Sequence, residues 1–356
     1  MTLAARDVAT RSRVWLTDDQ IAPALLLIAL GTLAFITPAQ NDTWWHLGSG
    51  REMWRTGSLL HTEPFSHTAF GAELHNDWWL SQLLFYGLFS LGGPMLLTAF
   101  AGACAFAAVA GSWRLARASW EVRLLLLFFL ALITPPEWAV RPQVLSLALL
   151  VLAAYLIRSD RVVWLPLVCV VWANAHPMVV FGVLMAGACV VESLIWSRAR
   201  FARASVIAAC CAAAPLISSD GWQYWPQVLR TVSISHALQL QEYRASIDLA
   251  SAPFWIVTAV LVVLVIRQRG ALAGWPRSDR ILLIAAVLLA VAAFGAVRNV
   301  PFFAVIATPV LARLLSGNPV NRRSERPAGT SGYALVATAG MVSLATVVAG
   351  WSDGGT

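Results

Sequence analysis

Six polar and amphipathic residues stand together where the first long apolar stretch of the chain ends, namely Asn41, Asp42, Thr43, Trp44, Trp45 and His46. Asparagine, aspartate and histidine are poor neighbours for lipid, so this group indicates a site at the membrane–water boundary. The carboxylate of Asp42 could act as a general base toward an acceptor hydroxyl. With His46, Glu63 and His67 it could instead hold a divalent cation. A third alternative is that Asp42 caps a helix that begins at Thr43.

Arg141 marks a second candidate position, because it directly precedes Pro142. A proline at this point is typical of a helix start, where no amide hydrogen is needed. The guanidinium could bind a lipid phosphate through two nitrogens, while the helix dipole adds to the attraction. The alternative is an anchoring arginine that extends to the interface or pairs with Glu137.

Two further pairs of polar residues lie at predicted helix ends. Arg298 and Asn299 could hold a phosphate or pyrophosphate, or could simply anchor the end of a helix. Asn174 and His176 could line a cavity, although a tight turn between two helices also favours asparagine, histidine and a following proline. The sequence leaves both alternatives open for each pair.

The polar segment 218–253 is long enough to contribute to a site, and Glu242 and Arg244 are its strongest candidates. Glu242 could meet Asp42 across a shared cavity, which would make it a second catalytic acid. Arg244 could bind substrate beside it. The ordinary alternative is a solvated loop of mixed charge.

These residues have to be positioned by membrane helices. Of the 356 residues, 59% are hydrophobic and 12% are charged, whereas a soluble domain has about 25% charged residues. A bilayer core needs about 17 to 25 residues of helix, and apolar runs near that length predict ten to eleven transmembrane helices. Gly92-Gly93-Pro94 interrupts the run 80–112, which predicts a short interfacial helix followed by a true span. The predicted class is an all-α polytopic membrane protein with interfacial helices in a long first extracytoplasmic loop.

The orientation follows from arginine, since the chain has no lysine. Nineteen of the 25 basic residues fall in predicted inner segments, which predicts a multi-pass protein of the cytoplasmic membrane with a cytoplasmic N-terminus. The basic charge then reflects orientation and contact with membrane lipids rather than nucleic-acid binding. The predicted segments are a cytoplasmic stretch 1–20, a transmembrane domain 21–315 with outer loops 38–79 and 218–253, a cytoplasmic linker 316–332, and a last helix with a short outer tail over 333–356.

Several enzyme classes lack support in this sequence. The five cysteines lie in apolar runs and show no spacing typical of a metal site. There is no GxSxG motif, no HExxH motif and no Walker loop. These absences disfavour a serine hydrolase, a zinc protease and a nucleotide-driven pump.

The pattern of motifs resembles the GT-C superfamily of membrane glycosyltransferases, which includes protein mannosyltransferases, aminoarabinose transferases and oligosaccharyltransferase catalytic subunits. The resemblance covers residues 42 to about 315 and rests on Asp42-Thr43-Trp44-Trp45-His46-Leu47, Glu63-Pro64-Phe65-Ser66, Arg141-Pro142-Gln143, Trp172-Ala173-Asn174-Ala175-His176 and Arg298-Asn299-Val300-Pro301-Phe302-Phe303. The first of these motifs departs from the mannosyltransferase and aminoarabinose branches, which have two adjacent acidic residues where this chain has Asn41-Asp42.

The resemblance implies a polyprenyl-phosphate-linked sugar as donor and a glycan, lipid or protein acceptor that enters from the extracytoplasmic side. It implies that Asp42 is the base, and that Arg141 or Arg298 stabilises the leaving phosphate. Four tryptophans would offer flat apolar faces to a sugar or to the first isoprene units, namely Trp44, Trp45, Trp78 and Trp79. Two other classes stay open, a transporter or lipid flippase and a non-catalytic scaffold of the cell envelope.

Overall fold

The computed structural model describes residues 20–36, 40–247, 251–316 and 341. These residues form α-helices and short 3₁₀ turns without any β-strand, apart from one isolated bridge between Thr62 and Glu73. The predicted all-α class is therefore confirmed. The predicted cytoplasmic segments and last helix, at 1–20 and beyond 316, lie almost entirely outside the described residues. The helices are α1 (Ile21–Phe35), α2 (Asn41–Thr56), α3 (Trp79–Leu115), α4 (Trp120–Ile133), α5 (Pro142–Arg158), α6 (Leu165–Ala175), α7 (Val179–Trp196), α8 (Phe201–Ala213), α9 (Tyr224–Ala237), α10 (Ala252–Gln268), α11 (Arg277–Gly295) and α12 (Val300–Ser316).

The molecule is a multi-pass membrane protein. Among the described residues, six helical stretches are long and apolar enough to cross a membrane, and three apolar helices are shorter. The prediction of ten to eleven spans thus compares with six that qualify by length and composition. The outermost helices expose apolar side chains as lipid-facing helices must; α10, for example, buries Phe254 and Leu261 but exposes Ile256 and Val263. The qualifying stretches are Trp79–Leu115, Val179–Trp196, Arg198–Ile217, Ala252–Gly274, Arg277–Gly295 and Val297–Ser316.

The break predicted at Gly92-Gly93-Pro94 is present within α3. Gly92 and Gly93 both leave the helical conformation, and Gly93 has φ of +62° and ψ of −158°. Only glycine adopts that backbone conformation without steric strain. Pro94 then starts the second part of the helix, where its missing amide hydrogen is tolerated. Helix α3 is consequently two segments joined at a kink.

Helix α2 lies within the predicted first outer loop 38–79, for which the sequence predicts helices. The chain leaves it at Gly57, which has φ of +64° and donates its amide to the carbonyl of Met53 at 2.9 Å. The helix lies directly against α3, because a Cβ at Gly50 would be 2.2 Å from the carbonyl oxygen of Gln82. Glycine at position 50 therefore permits the close approach of the two helices.

The start of α2 is fixed by one hydroxyl group. Thr43 Oγ1 accepts a hydrogen bond from the amide of Gln40 at 3.0 Å and donates to the carbonyl of Val140 at 2.8 Å. The helix begins at Asn41, with Gln40 as its N-terminal flanking residue. The interpretation of Asp42 as the helix cap is therefore wrong, since Asp42 lies in the first turn, where its carboxylate is free to face another element.

The segment predicted as a large outer loop over 218–253 contains α9, which the sequence analysis missed. Tyr224 at its start is fully buried, and Trp225 donates its indole hydrogen to the carbonyl of Ala212 at 2.9 Å. These contacts place α9 across the ends of the apolar helices. Its first turn holds Pro226, a residue that helix starts tolerate.

A buried ion cluster joins α7 to α11, far along the chain from the loops discussed above. Glu192 is fully buried and accepts hydrogen bonds from Arg280 Nη2 at 2.6 Å and Arg277 Nε at 3.2 Å. Arg280 also donates to the carbonyls of Ala273 at 2.9 Å and Trp275 at 2.6 Å. Every guanidinium nitrogen of Arg280 has a partner, so this cluster is internally complete.

Candidate active site

A cavity of about 550 Å³ lies between α2, α7, α9 and the C-terminal end of α11. Its volume is within the range of about 300 to 1,000 Å³ that small-molecule sites occupy. One part of its wall is apolar and is formed by α7 and α9. The other part is polar and collects side chains from the loops that precede α3, α5, α7 and α12. The apolar lining includes Val180, Phe181, Leu184, Val228 and Val232.

The polar wall has a basic end built from two arginines and two acids. Arg141 Nη2 is 2.7 Å from Asp42 Oδ2, and Arg141 Nη1 is 3.6 Å from Glu242 Oε2. Arg298 Nη1 donates to Glu242 Oε1 at 2.9 Å. Glu242 thus bridges the two guanidiniums. Four residues that the sequence singled out separately, from four different parts of the chain, meet here.

Gln143, the second residue of α5, completes this basic end and was not predicted as a site residue. Its side-chain oxygen accepts hydrogen bonds from Arg141 Nη2 and Arg298 Nη2, both at 3.1 Å. This amide orientation is assigned from the hydrogen bonds, because the opposite one would place an NH₂ group against both guanidiniums. The guanidiniums are therefore held side by side by two acceptors, Glu242 and Gln143.

The loop that carries Glu242 is fixed to the ends of α11 and α12 by its backbone. The amide of Val297 donates to the carbonyl of Arg244 at 2.9 Å, and Ser246 Oγ donates to the carbonyl of Ala293 at 2.7 Å. The neighbouring Tyr243 ring lies 4.7 Å from the guanidinium carbon of Arg298. Arg298 is consequently about nine-tenths buried, with 8% of its side chain exposed, yet it lines the cavity.

Two neutral histidines lie on the same wall. Burial, with a smaller effect from Arg141, lowers the pKa of His46 to about 3. Burial likewise lowers the pKa of His176 well below its usual value. His176 Nδ1 faces Ser146 Oγ at 3.0 Å and accepts from the amide of Met178 at 3.3 Å, so the ring proton is assigned to Nε2. The two rings are hydrogen-bonding groups rather than cations at neutral pH.

The far end of the polar wall is acidic and was missed as a site by the sequence analysis. His75, Asp77 and Gln227 line the cavity there, and Asp220 supports them from behind. His75 Nδ1 is 3.5 Å from Asp220 Oδ1, and Gln227 Nε2 donates to His75 Nε2 at 2.9 Å. Burial and the charge of Asp220 raise the pKa of Asp77 to about 7. The only hint in the sequence was the cluster His75-Asn76-Asp77 directly before Trp78.

Three predicted binding residues do not line the main cavity. Asn174 is buried behind it, where it accepts from the Trp79 indole at 2.8 Å and donates to the carbonyl of Val170 at 2.8 Å. Trp44 is 56% exposed and packs edge-on against Phe89. The side chain of Arg244 is exposed, and its contribution is the backbone contact described above. By contrast Trp45, His176 and Asn299 do line the cavity.

The structure does not assemble the cation site suggested for Asp42, His46, Glu63 and His67. The carboxylate of Glu63 accepts from the amides of Phe65 at 2.7 Å and of Ser66 within its own exposed turn. Within the part of the chain that the structure describes, no group of three or more acidic, histidine or cysteine side chains is arranged to hold a metal. Asp42 is paired with an arginine instead.

A second cavity of about 290 Å³ adjoins the first, toward α4, α10 and α12. Arg141, Glu242 and Arg298 line both cavities, so these side chains form the partition between them. Glu137 lines the second cavity, and burial raises its pKa to about 7 although Arg298 and Arg141 oppose that shift. The two arginines are thus accessible from both sides.

The fold is similar to that of a solved GT-C enzyme. The crystal structure of the Archaeoglobus fulgidus oligosaccharyltransferase, tethered by a disulfide bond to an acceptor peptide with the NVT sequon, superposes with a TM-score of 0.51 at 13% identity. The alignment covers 95% of this chain and 55% of that chain, so this protein spans about half its length. The expected likeness to an oligosaccharyltransferase is thus confirmed at the level of the fold. No protein-family model matches the chain, and no curated protein matches its sequence.

Proposed function

We propose that this protein transfers a sugar from a polyprenyl-phosphate donor to an acceptor on the extracytoplasmic side of the membrane. The observation that carries the proposal is the pair of guanidiniums, Arg141 and Arg298, that are held side by side on the wall of a cavity within a GT-C fold. Glycosyl transfer from such a donor releases a phosphate, and the group that stabilises its growing charge has to be in place beforehand.

The arrangement of the two arginines suits the binding of a phosphate or diphosphate. Two neighbouring guanidiniums repel each other, and the carboxylates of Asp42 and Glu242 hold them together and offset their charge, so the pair presents N–H donors at the cavity wall. The Nε atom of each arginine is buried and has no hydrogen-bond partner among the described residues. A phosphate in the cavity would supply acceptors in the planar geometry that guanidinium groups bind.

The apolar part of the wall fits the lipid portion of such a donor. Val180, Phe181 and Leu184 on α7 face Val228 and Val232 on α9 across the cavity. An isoprene chain has no hydrogen-bonding groups, so it requires a lining of this kind. The phosphate would then lie at the basic end while the lipid follows the apolar side.

Asp42 and Glu242 are the proposed catalytic acids. Asp42 Oδ2 pairs with Arg141, and its second oxygen stays available to accept a proton from an acceptor hydroxyl. Glu242 holds both guanidiniums and so positions the phosphate-binding pair. His46 and His176, both neutral, would donate or accept hydrogen bonds along the sugar.

The test is transfer or hydrolysis of radiolabelled polyprenyl-phosphate sugars by the full-length protein in nanodiscs, followed by thin-layer chromatography. Wild type should release sugar from the lipid, and Arg298→Gln should reduce the rate by about 10²- to 10³-fold, the loss typical of one removed oxyanion-stabilising group. Arg230→Gln is the matched control, because Arg230 is exposed on α9 and does not line the cavity. Equal rates for the Arg298 variant and wild type would contradict the proposal that Arg298 binds the donor phosphate.

A further inference from the structure

The acidic end of the cavity has no role in holding a lipid phosphate. His75, Asp77 and Gln227 line it, and they lie along the same polar wall as the two arginines. An anionic group would be repelled by Asp77 and Asp220. One end offers two guanidiniums and the other offers a carboxyl group without an arginine partner in the described part of the chain, which predicts that different parts of the reaction occupy the two ends.

Buried side chains support the acidic end, and two of them carry polar atoms that have no partner among the described residues. Only 6% of the Asp220 side chain is exposed, and its Oδ2 has no hydrogen-bond partner among the described residues. The fully buried Tyr224 also has a hydroxyl without a partner among the described residues, and burial, with smaller effects from the charges of Asp77 and Asp220, raises its pKa. Leaving such groups unsatisfied is costly, and because neither residue lines the cavity, water bound behind its wall would satisfy them.

The orientation of His75 is set by its two neighbours. Gln227 donates to Nε2, so the ring proton is assigned to Nδ1, where it faces Asp220 Oδ1. Glu73 Oε1 lies 3.8 Å from His75 Nε2 on the exposed side. The result is a fixed row of an imidazole, a carboxylate and an amide, which are groups that bind hydroxyls through directional hydrogen bonds.

Two tryptophans border this row. Trp45 and Trp78 both line the cavity, with ring centroids 5.5 Å apart and planes at 76°. Trp45 is 37% exposed, so its ring is open to a ligand. Flat apolar rings beside carboxylate and amide groups match the two faces of a sugar ring, which carries C–H bonds on its faces and hydroxyls around its edge.

We propose that this acidic end is the acceptor subsite and that the acceptor is a carbohydrate, either uncharged or bearing an amino group. Asp77 accepts hydrogen bonds from its hydroxyl or amino groups, His75 and Gln227 add further polar contacts, and Trp45 and Trp78 contact the ring. The acceptor role rests on the proposed function, whereas carbohydrate binding at this end does not require the donor.

The protonation of Asp77 agrees with this role. Its pKa of about 7 means that both forms of the carboxyl are present near neutral pH. The protonated form donates as well as accepts, and a sugar hydroxyl does the same. The titratable groups that act on this end are Tyr224, Asp220, His75 and the more distant His61. Burial raises the pKa of Asp220, and His75 and His61 partly oppose that rise.

The experiment is saturation-transfer difference NMR on the full-length protein in nanodiscs without donor. The probes are the methyl glycosides of glucose, mannose, galactose and arabinose, together with glucosamine, glucuronic acid and a peptide that contains the NVT sequon. At least one neutral glycoside or glucosamine should bind, and glucuronic acid should bind about tenfold more weakly than methyl glucoside or glucosamine because of like charge, a difference that corresponds to about 1.4 kcal/mol.

Variants assign the binding to the acidic end. Asp77→Asn and Gln227→Ala should each weaken binding of the responding sugar by about tenfold or more, a loss typical of a hydrogen bond that involves a charged group. Glu73→Gln is the matched control, because it removes the same charge from the exposed carboxylate beside His75. Arg298→Gln should retain sugar binding even though it loses donor turnover.

Each outcome decides the inference. Sugar binding that requires Asp77 supports the subsite even if no polyprenyl-phosphate donor reacts, and in that case the donor proposal alone fails. Sugar binding that Asp77→Asn and Gln227→Ala leave unchanged overturns it, and so does binding of the peptide without any sugar. A folding defect in Asp77→Asn would appear in its gel-filtration profile, and Gln227→Ala then carries the decision.

Discussion

Two clusters in this protein both pair arginine with glutamate, but they differ in whether the charged groups are accessible. Around Glu192, the buried carboxylate accepts from Arg280 and Arg277, and the guanidinium nitrogens of Arg280 donate to that carboxylate or to two backbone carbonyls. Around Glu242, the guanidiniums of Arg141 and Arg298 share one carboxylate and face an open cavity. The first cluster is closed and joins helices, whereas the second is open and keeps charge available.

An unpartnered nitrogen alone does not separate the two kinds of cluster. The Nε atom of Arg158, which pairs with Asp279 near the closed cluster, also lacks a partner. The distinguishing feature is access, because Arg141 and Arg298 line two adjoining cavities. A charged group in the core can interact only with its neighbours in the protein, whereas a charged group that lines a cavity can also contact a ligand. Charge at a cavity wall is therefore better evidence of binding than charge in a core.

The largest expected effect is on stability, at the closed cluster. Glu192→Ala leaves the buried guanidinium of Arg280 without its carboxylate, whereas Arg277 keeps Asp160, and breaking a buried pair in this way costs about 3 to 5 kcal/mol. We expect a marked fall in the thermal unfolding temperature of the purified protein. Glu242→Ala, at the half-exposed carboxylate of the open cluster, should lower that temperature less. An equal loss in both variants would contradict the distinction between closed and open clusters.

The second effect is on activity, at the open cluster. Arg141→Gln should lower donor turnover by about 10²- to 10³-fold with little change in unfolding temperature, because this arginine stabilises a charge that develops only during the reaction. Rates measured with the radiolabelled donor, beside unfolding curves of the same samples, separate the two quantities. Loss of stability in proportion to loss of rate would indicate that Arg141 is structural like Arg280.

A smaller loss of stability and turnover should follow when α2 is displaced away from α3. Gly50→Ala places a Cβ 2.2 Å from the carbonyl oxygen of Gln82, so the helices must separate. Such overpacking costs about 1 to 3 kcal/mol. Because α2 carries Asp42, turnover should fall while the closed cluster at Glu192 is unaffected. Gly48→Ala is the control, since a Cβ there has its nearest contact at 3.5 Å, on a flexible side chain.

The smallest effect concerns the pH dependence of stability. Asp77 titrates near pH 7 in the folded protein and near 3.8 when unfolded, so the folded state holds a proton that the unfolded chain has lost between these values. Its contribution to the free energy of unfolding therefore declines as pH rises from about 4 to 7. Asp77→Asn should unfold at a higher temperature than wild type at pH 8, and this difference should shrink toward pH 4. A difference that grows toward pH 4 would contradict the raised pKa.

Much of the architecture was predictable from the sequence because a bilayer imposes strong rules. Apolar length indicated the membrane helices, and Gly92-Gly93-Pro94 indicated the break in α3. Polar residues at the ends of apolar runs are conspicuous, which is why Asp42, Arg141 and Arg298 could be chosen before their contacts were known. That they meet at one wall follows from helix packing, which no local pattern encodes.

The rest depended on tertiary contacts. Gln143 looks like an ordinary helix residue until two guanidiniums converge on its amide. Asp77 and Gln227 acquire a common environment only because α9 folds back over the cavity, 150 residues from the loop that precedes α3. For Asn174 the prediction failed in the opposite direction. The sequence predicted a ligand-binding residue, but its amide bonds to the Trp79 indole and to the carbonyl of Val170 instead.

The hydroxyl of Thr43 has a consequence for how the open cluster responds to salt. It links the start of α2 to the carbonyl of Val140, the residue directly before Arg141, so the backbones that carry Asp42 and Arg141 are fixed by a buried neutral contact. Mobile ions weaken attraction between exposed charges but leave such a contact untouched. The ion pair is therefore positioned independently of its own attraction, and its geometry should persist from dilute buffer to high ionic strength.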